Sequence, residues 1–311
     1  MIKKILKLIR TPNLVFIVII QYSMRFFVLK PILSEYNLEL LFSGFNFFLL
    51  VTATVLLAAS GYIINDYFDT EHDKKAGKTN VFNNGINKNT AFYVYLALNI
   101  IAIAIGFYIS SLIGLYKLGI VFILISGLLW FYSSSFKTSF LLGNIIIALL
   151  AALVPLIVLP YEILLQFELN RNALISAGNN LSDISFWILG YSSFAFIMTL
   201  IREIIKDTED YKADIEFNYT TLPIKIGKKA TKYVVAGLVL TTIALLFFII
   251  LKYLNLHILQ IIYIITFVIM PLTNIGIFIF KANEQKHYRG LSLLTKITMF
   301  TGVLFTITNL F

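Results

Sequence analysis

The stretch Asn65-Asp66-Tyr67-Phe68-Asp69-Thr70-Glu71-His72-Asp73 closes an apolar run that begins near Leu40. If the helix of that run continues through the stretch, Asp66, Asp69 and Asp73 stand at i, i+3 and i+7 and share one face. Three carboxylates on one face repel one another unless a cation sits among them. Hard divalent cations such as Mg²⁺ favour such oxygen ligands, and Mg²⁺ commonly bridges carboxylates to substrate phosphates. A single acidic helix end is ordinarily just a solvated terminus. Here the spacing recurs: Asp207, Asp210 and Asp214 follow another long apolar run, each 141 residues after its counterpart. In a chain with 16 acidic residues out of 311, the recurrence points to paired metal sites.

Across the whole chain 59% of residues are hydrophobic and only 13% charged, far from the composition of a soluble domain. Many apolar runs reach the roughly 20 residues needed to cross hydrocarbon. The alternation of a barrel strand is absent. The expected fold is therefore all-α: a polytopic membrane protein of about nine transmembrane helices. The expected spans are about 13–33, 40–65, 90–112, 117–136, 141–161, 184–206, 231–253, 256–280 and 290–310. Met1–Arg10 is basic and precedes an apolar run, as in a signal peptide. The run is long and lacks a clear small-residue cleavage site, so it reads as the first spanning helix.

With the N-terminus inside, the cytoplasmic segments hold nineteen lysines and arginines and the outer segments four. This bias places both aspartate sets on the cytoplasmic side of an integral membrane protein, with the plasma (inner) membrane as the expected location. The net charge of +9 then belongs to membrane-surface lysines and not to nucleic-acid binding. With no cysteine, disulfide and zinc–thiolate chemistry are excluded. Arg25 lies within the first apolar run, and such a charge either faces the bundle interior or snorkels. Pro155, Pro160 and Pro271 mark expected kinks. Thr220–Gly227 reads as a loop punctuated by Pro223 and Gly227. Lys78, between Gly77 and Gly85, is placed to fold over a phosphate.

Two facing acidic sets with two or more Mg²⁺, basic residues around them and an apolar bundle below fit the ionisation of an allylic diphosphate. The metals neutralise charge on the leaving pyrophosphate while the prenyl end alkylates a nucleophile. A transporter is the reading from another class, since intramembrane charges can mark an ion path. Both acidic sets lie at the membrane interface, however, and the mid-membrane zones are nearly uncharged. A non-catalytic scaffold is less economical, because all six core aspartates are present.

Asn65-Asp66-x-x-Asp69-x-x-x-Asp73 and Asp207-x-x-Asp210-x-x-x-Asp214 resemble the two motifs of the UbiA-type intramembrane prenyltransferases. Arg10-x-x-Asn13 is similar to that family's opening signature, and Tyr132-Ser-x-x-x-Lys137 followed by Gly143-Asn144 to its tyrosine–lysine motif. The resemblance covers essentially the whole chain and implies one UbiA-like domain over residues 1–311. It implies a metal set of Asn65, Asp66, Asp69, Asp73, Asp207, Asp210 and Asp214 holding Mg²⁺. Diphosphate would be bound by Arg202, Lys206, Lys137, Lys78 and Asn13. The catalytic group would comprise Asp66, Asp69, Asp207, Asp210, Lys137 and Tyr132. The partners implied are an isoprenyl diphosphate, a lipophilic acceptor and membrane lipid.

Arg202-Glu-x-x-Lys206-Asp-x-Glu-Asp210 with Thr221-Leu-Pro223-x-x-x-Gly227 most resembles the digeranylgeranylglyceryl phosphate synthase branch. That branch implies a geranylgeranylglyceryl phosphate-type acceptor. Ala213 and Ile215 depart from the branch's glycine and basic residue, and Lys78-Thr-Asn-Val-Phe82 departs from its arginine–proline stretch. An aromatic acceptor, such as a quinone, haem or chlorophyll precursor, is the alternative.

Overall fold

The computed structural model describes residues 6–75, 80–82, 87–170, 181–253 and 257–310, and every regular element among them is helical. Nine helical stretches among these residues are long and apolar enough to cross a membrane, from Thr11–Glu35 to Gln285–Thr308. The chain divides into two compact units. One comprises residues 1–136 and 153–189, the other residues 137–152 and 190–311.

In the first unit, α1 (Thr11–Ser23) starts on Pro12, whose missing N–H costs nothing in a first helical turn. A π-helical segment, Met24–Leu29, joins it to α2 (Lys30–Glu35). Pro31 explains the wide turn. Its ring would crowd the carbonyl four residues back, so the ladder opens and the Lys30 N–H reaches Arg25 O, five residues back. The helix α3 (Gly44–Phe68) is capped by Ser43, whose hydroxyl accepts the Asn46 N–H at 3.2 Å. Its 25 residues span about 37 Å at the standard rise, enough to cross a bilayer. The short helix α4 (Thr70–Lys75) follows.

Asn87 caps α5 (Lys88–Leu112) by accepting the Asn89 and Thr90 N–H groups. A 3₁₀ turn, Tyr116–Gly119, leads into α6 (Ile120–Ser134). α3 packs on α1, α5 and α6. The close approach of α5 to α6 depends on Gly106, because a side chain there would drive directly into the Phe122 ring, which is 1% exposed.

Arg25 faces the interior of this unit. Its guanidinium donates to Phe42 O and lies over the Phe47 ring, 4.4 Å from the centroid. Glu162, 2% exposed, accepts the Leu41 and Phe42 N–H groups at 2.6 and 3.2 Å. Gln166 donates to Glu162 and to Glu39 O. These bonds fix the segment entering α3, at the end opposite its aspartates. Arg25 is thus a structural clasp of the first unit and not a snorkelling group.

The prolines of the fifth apolar run divide it into α7 (Leu142–Leu156) and α8 (Val158–Leu169). The sixth run forms the 36-residue α9 (Leu181–Glu216), so the second acidic stretch is helical throughout. The seventh spanning helix starts just past Gly227, close to the expected 231. The stretch α10 (Leu222–Tyr253) comprises two helical pieces: a short turn opened by Pro223, in place of part of the anticipated loop, and the long helix that follows the break at Gly227. Only Gly227 leaves helical geometry, at φ 80° and ψ 154°, a conformation that favours glycine. α11 (Ile258–Ile264), a second π-helical segment (Ile265–Ile269) and α12 (Met270–Lys281) follow. Pro271 again stands two residues past the π turn, repeating the cause seen at Pro31. α13 (Gln285–Leu304) packs on α12, and α12 on α10.

Gly106→Val should force the Phe122 ring to move and destabilise the protein by about 1–3 kcal/mol. Gly190→Ala, where an added methyl meets nothing within 4 Å, should not. Thermal unfolding in detergent separates the two.

Candidate active site

The first carboxylate set sits where α3 ends. Asp69 closes the helix at φ −84° and ψ 1°, and α4 begins at the next residue. The ladder nevertheless continues. Asp69 N donates to Asn65 O at 2.9 Å and Asp73 N to Asp69 O at 2.8 Å. Asp66, Asp69 and Asp73 therefore keep their helical register across the junction, as the spacing requires.

Each carboxylate has a named neighbour. Arg10 Nη2 donates to Asp66 Oδ1 at 2.8 Å, and the Arg10 guanidinium lies 5.0 Å from the centre of the Tyr62 ring. Asn65 Nδ2 donates to Asp69 Oδ2 at 2.8 Å. Asn80 Nδ2 donates to Asp73 Oδ2 and to Asp66 O, both at 2.9 Å. Asp66 is 6% exposed, so the Arg10 cation offsets a charge that burial would otherwise make costly. Arg10 adopts the left-handed conformation, φ 51° and ψ 54°, at the turn that starts α1. Asn13, half-buried in the first turn of α1, donates its backbone N–H to Arg10 O at 2.8 Å.

The second set lies on α9 within the other unit. Asn144, from the first turn of α7, donates to Asp207 Oδ2 at 2.8 Å. Thr221 Oγ1 donates to Asp214 Oδ2 at 3.0 Å, and Asp214 is 3% exposed. Asp210 is half-buried, one turn beyond Asp207. Glu203 gathers the two cations of the preceding turn: Arg202 Nη1 and Lys206 Nζ each stand 2.8 Å from one of its oxygens. Arg289 Nε donates to Glu209 Oε1 at 3.1 Å and ties α13 to α9.

Lys137 occupies a 3₁₀ turn, Phe136–Thr138. Thr220 donates both its N–H and its hydroxyl to Thr138 O, at 2.8 and 3.1 Å. That contact brings the Lys137 turn beside the segment following Asp214.

Within the first unit, then, Asp66, Asp69, Asp73 and Asn65 come together with Arg10. Within the second, Asp207 and Asp214 share one helix face, joined by Asn144 and the Lys137 turn. Tyr132 is half-buried on the last turn of α6. Lys78 lies outside the described residues. Arg202 and Lys206 are both engaged with Glu203.

Five contacting residues were absent from the sequence-derived site: Arg10, Asn80, Asn144, Glu203 and Thr221. Arg10, Asn144, Glu203 and Thr221 stand inside the recognised motifs, so a signal existed. Asn80 carried none, being one asparagine among several in a polar stretch.

Among the described residues no group of three or more histidine, cysteine, aspartate or glutamate side chains is arranged to hold a metal. This donor set still fits Mg²⁺. That ion is bound through one or two carboxylates and keeps the rest of its shell for water and phosphate, unlike zinc in a protein cage. The all-oxygen donors and the absence of cysteine point the same way.

The profile of the UbiA prenyltransferase family matches residues 36–298, a stretch containing both carboxylate sets. The chain belongs to the UbiA prenyltransferase family. It is an integral membrane prenyltransferase. A digeranylgeranylglyceryl phosphate synthase of Methanosphaera stadtmanae is 32% identical over 269 residues, 86% of this chain and 84% of that protein. A solved structure from work on digeranylgeranylglyceryl phosphate synthase in membranes aligns with a TM-score of 0.61 at 23% identity, covering 99% of both chains. A UbiA homologue from Archaeoglobus fulgidus, solved with DMAPP and Mg²⁺, aligns with a TM-score of 0.56 at 14% identity, covering 97% of this chain and 99% of that one. At these identities the structural likenesses establish the shared fold.

Asp66→Ala and Asp210→Ala should each abolish prenyl transfer while leaving thermal unfolding nearly unchanged. Arg10, whose side chain is 40% exposed, stays solvated when Asp66 is lost. Asn144→Ala should lower turnover by about 10–100-fold, because Asp207 loses the amide that orients it. Turnover and unfolding assays on the same detergent preparations check all three.

Proposed function

We propose that this enzyme takes its prenyl group from an isoprenyl diphosphate with Mg²⁺ and passes it to a geranylgeranylglyceryl phosphate-type lipid. The observation that carries the metal-dependent reading is the pair of carboxylate sets at ends of membrane-length helices, with members held by an amide, a hydroxyl or an arginine. The named synthase relatives support the choice of acceptor, and the homologue bound to DMAPP and Mg²⁺ supports the donor class.

In this reading Asp66, Asp69, Asp73, Asp207, Asp210 and Asp214, with Asn65, would hold two or more Mg²⁺. Bound Mg²⁺ supplies neutralisation of the negative charge that grows on the leaving pyrophosphate. Arg202, Lys206, Lys137, Lys78 and Asn13 bind the diphosphate oxygens and orient the ester. Arg202 and Lys206 are shared with Glu203 until that anion arrives. The allylic C–O bond breaks with its electron pair on the pyrophosphate. Tyr132 offers an aromatic face to the resulting carbocation. The acceptor hydroxyl oxygen attacks that carbon, forms an ether bond and releases its proton. Both carboxylate sets serve one turnover, so residues 1–311 act as a single catalytic domain.

Purified protein given geranylgeranyl diphosphate should release pyrophosphate with Mg²⁺ and not with EDTA, and a glycerophosphate lipid acceptor should stimulate the release. Metal-dependent release that ignores this acceptor would redirect the assignment to an aromatic one. No release with prenyl diphosphates of any length would overturn it.

We also infer that the N-terminus and both aspartate sets face the cytoplasm, with the plasma membrane as the location, on the strength of the lysine and arginine bias. The chain contains no cysteine, so single cysteines report without background. Lys74→Cys should react with an impermeant maleimide only after the cells are opened, and Lys117→Cys in intact cells.

A further inference from the structure

We propose that Asn80 is a positioning residue for the first carboxylate set, holding Asp73 in the orientation in which it receives a divalent cation. The inference rests on the metal reading given above.

Asn80 is 1% exposed and its side chain is used at both ends. Its Nδ2 donates at 2.9 Å to Asp73 Oδ2 and at 2.9 Å to Asp66 O. Its Oδ1 accepts the Phe82 N–H at 3.0 Å. One amide thus joins the backbone of the first aspartate to the carboxylate of the third. The third bond locks the amide in place, since Oδ1 is held by a backbone donor and the two protons of Nδ2 must point the other way.

The anchor beneath it is apolar. Val81 and Phe82 lie in a buried cluster with Leu8, Ile63, Ile64, Ala91 and Tyr95. Ile63 and Ile64 are the last apolar residues of α3 before Asn65 and Asp66. Burial of Val81 and Phe82 therefore sets the position of Asn80 against the same turn of helix that carries the carboxylates. The arrangement suits orientation more than charge balance. A neutral donor fixes Asp73 Oδ2 without bringing a competing cation, whereas the donor on Asp66 Oδ1 is the charged Arg10. Outer partners that orient a ligating carboxylate typically contribute 10–100-fold to metal affinity.

The test is Mn²⁺ binding, followed by electron paramagnetic resonance, on the full chain in detergent without any diphosphate. Asn80→Ala should raise the Mn²⁺ dissociation constant at least about tenfold. Asn80→Asp, which keeps the shape but sets a second carboxylate against Asp73 in place of the donor, should also depart from wild type. Both are compared by thermal unfolding, so that a variant failing to fold is recognised and the other read instead. Wild-type Mn²⁺ affinity in a folded Asn80→Ala protein would overturn the proposal, even if its unfolding temperature had dropped, because Asn80 would then be structural only. Failure of the wild-type chain itself to bind Mn²⁺ would overturn the metal reading beneath it.

Discussion

A carboxylate in surroundings this apolar is tolerable only with a cation or a hydrogen-bond donor on it. The polar structure of the chain follows from that constraint. Asp66 has Arg10, Asp69 has Asn65, Asp73 has Asn80, Asp207 has Asn144 and Asp214 has Thr221. Glu203 holds two cations and Glu209 one. At the opposite end of α3, Glu162 is satisfied by backbone N–H groups and Gln166. The partners differ in kind, and the difference matters. Amides and hydroxyls orient an acid without a counter-charge, whereas Arg10 brings a cation to one oxygen of Asp66.

The apolar bulk of the protein serves these groups by placing helix ends. Two departures from regular α-geometry, at Met24–Leu29 and Ile265–Ile269, have the same origin in a proline just beyond. The first has a consequence for the unit that holds it. It lies in the stretch that carries Arg25, whose guanidinium holds the carbonyl of Phe42 at the entry to α3. A contact at one end of α3 thereby helps fix a helix whose other end carries Asp66 and Asp69.

Arginine 10 shows how local conformation is spent on function. A left-handed backbone at a non-glycine residue carries a steric cost. It persists here with a guanidinium that reaches both Asp66 and the face of Tyr62. Thr220 does comparable work in the other unit through two bonds to a single carbonyl, which bring the Lys137 turn to the end of the second acidic helix.

Much of this was legible in the chain itself. Runs of about 20 apolar residues announce spanning helices because hydrocarbon leaves the backbone no partner but itself. The i, i+3, i+7 spacing announces a shared face because helical periodicity is local, and the register survives even where α3 gives way to α4 at Asp69. The break at Gly227 was legible as punctuation, whereas the short helical turn that Pro223 opens before it was not. Nor were most partners of the acids, Asn65 at Asp69 excepted. Asn80 is seven residues from Asp73, Arg10 is 56 from Asp66 and Asn144 is 63 from Asp207. Which of many asparagines and basic residues reaches a given carboxylate depends on how helices pack. Sequence determined the helices, the carboxylates and their spacing, all set by short-range periodicity. Asn65 meets Asp69 through helical periodicity alone, but tertiary structure decided what holds Asp66, Asp73 and Asp207, because those bonds join residues that only packing brings within 3 Å.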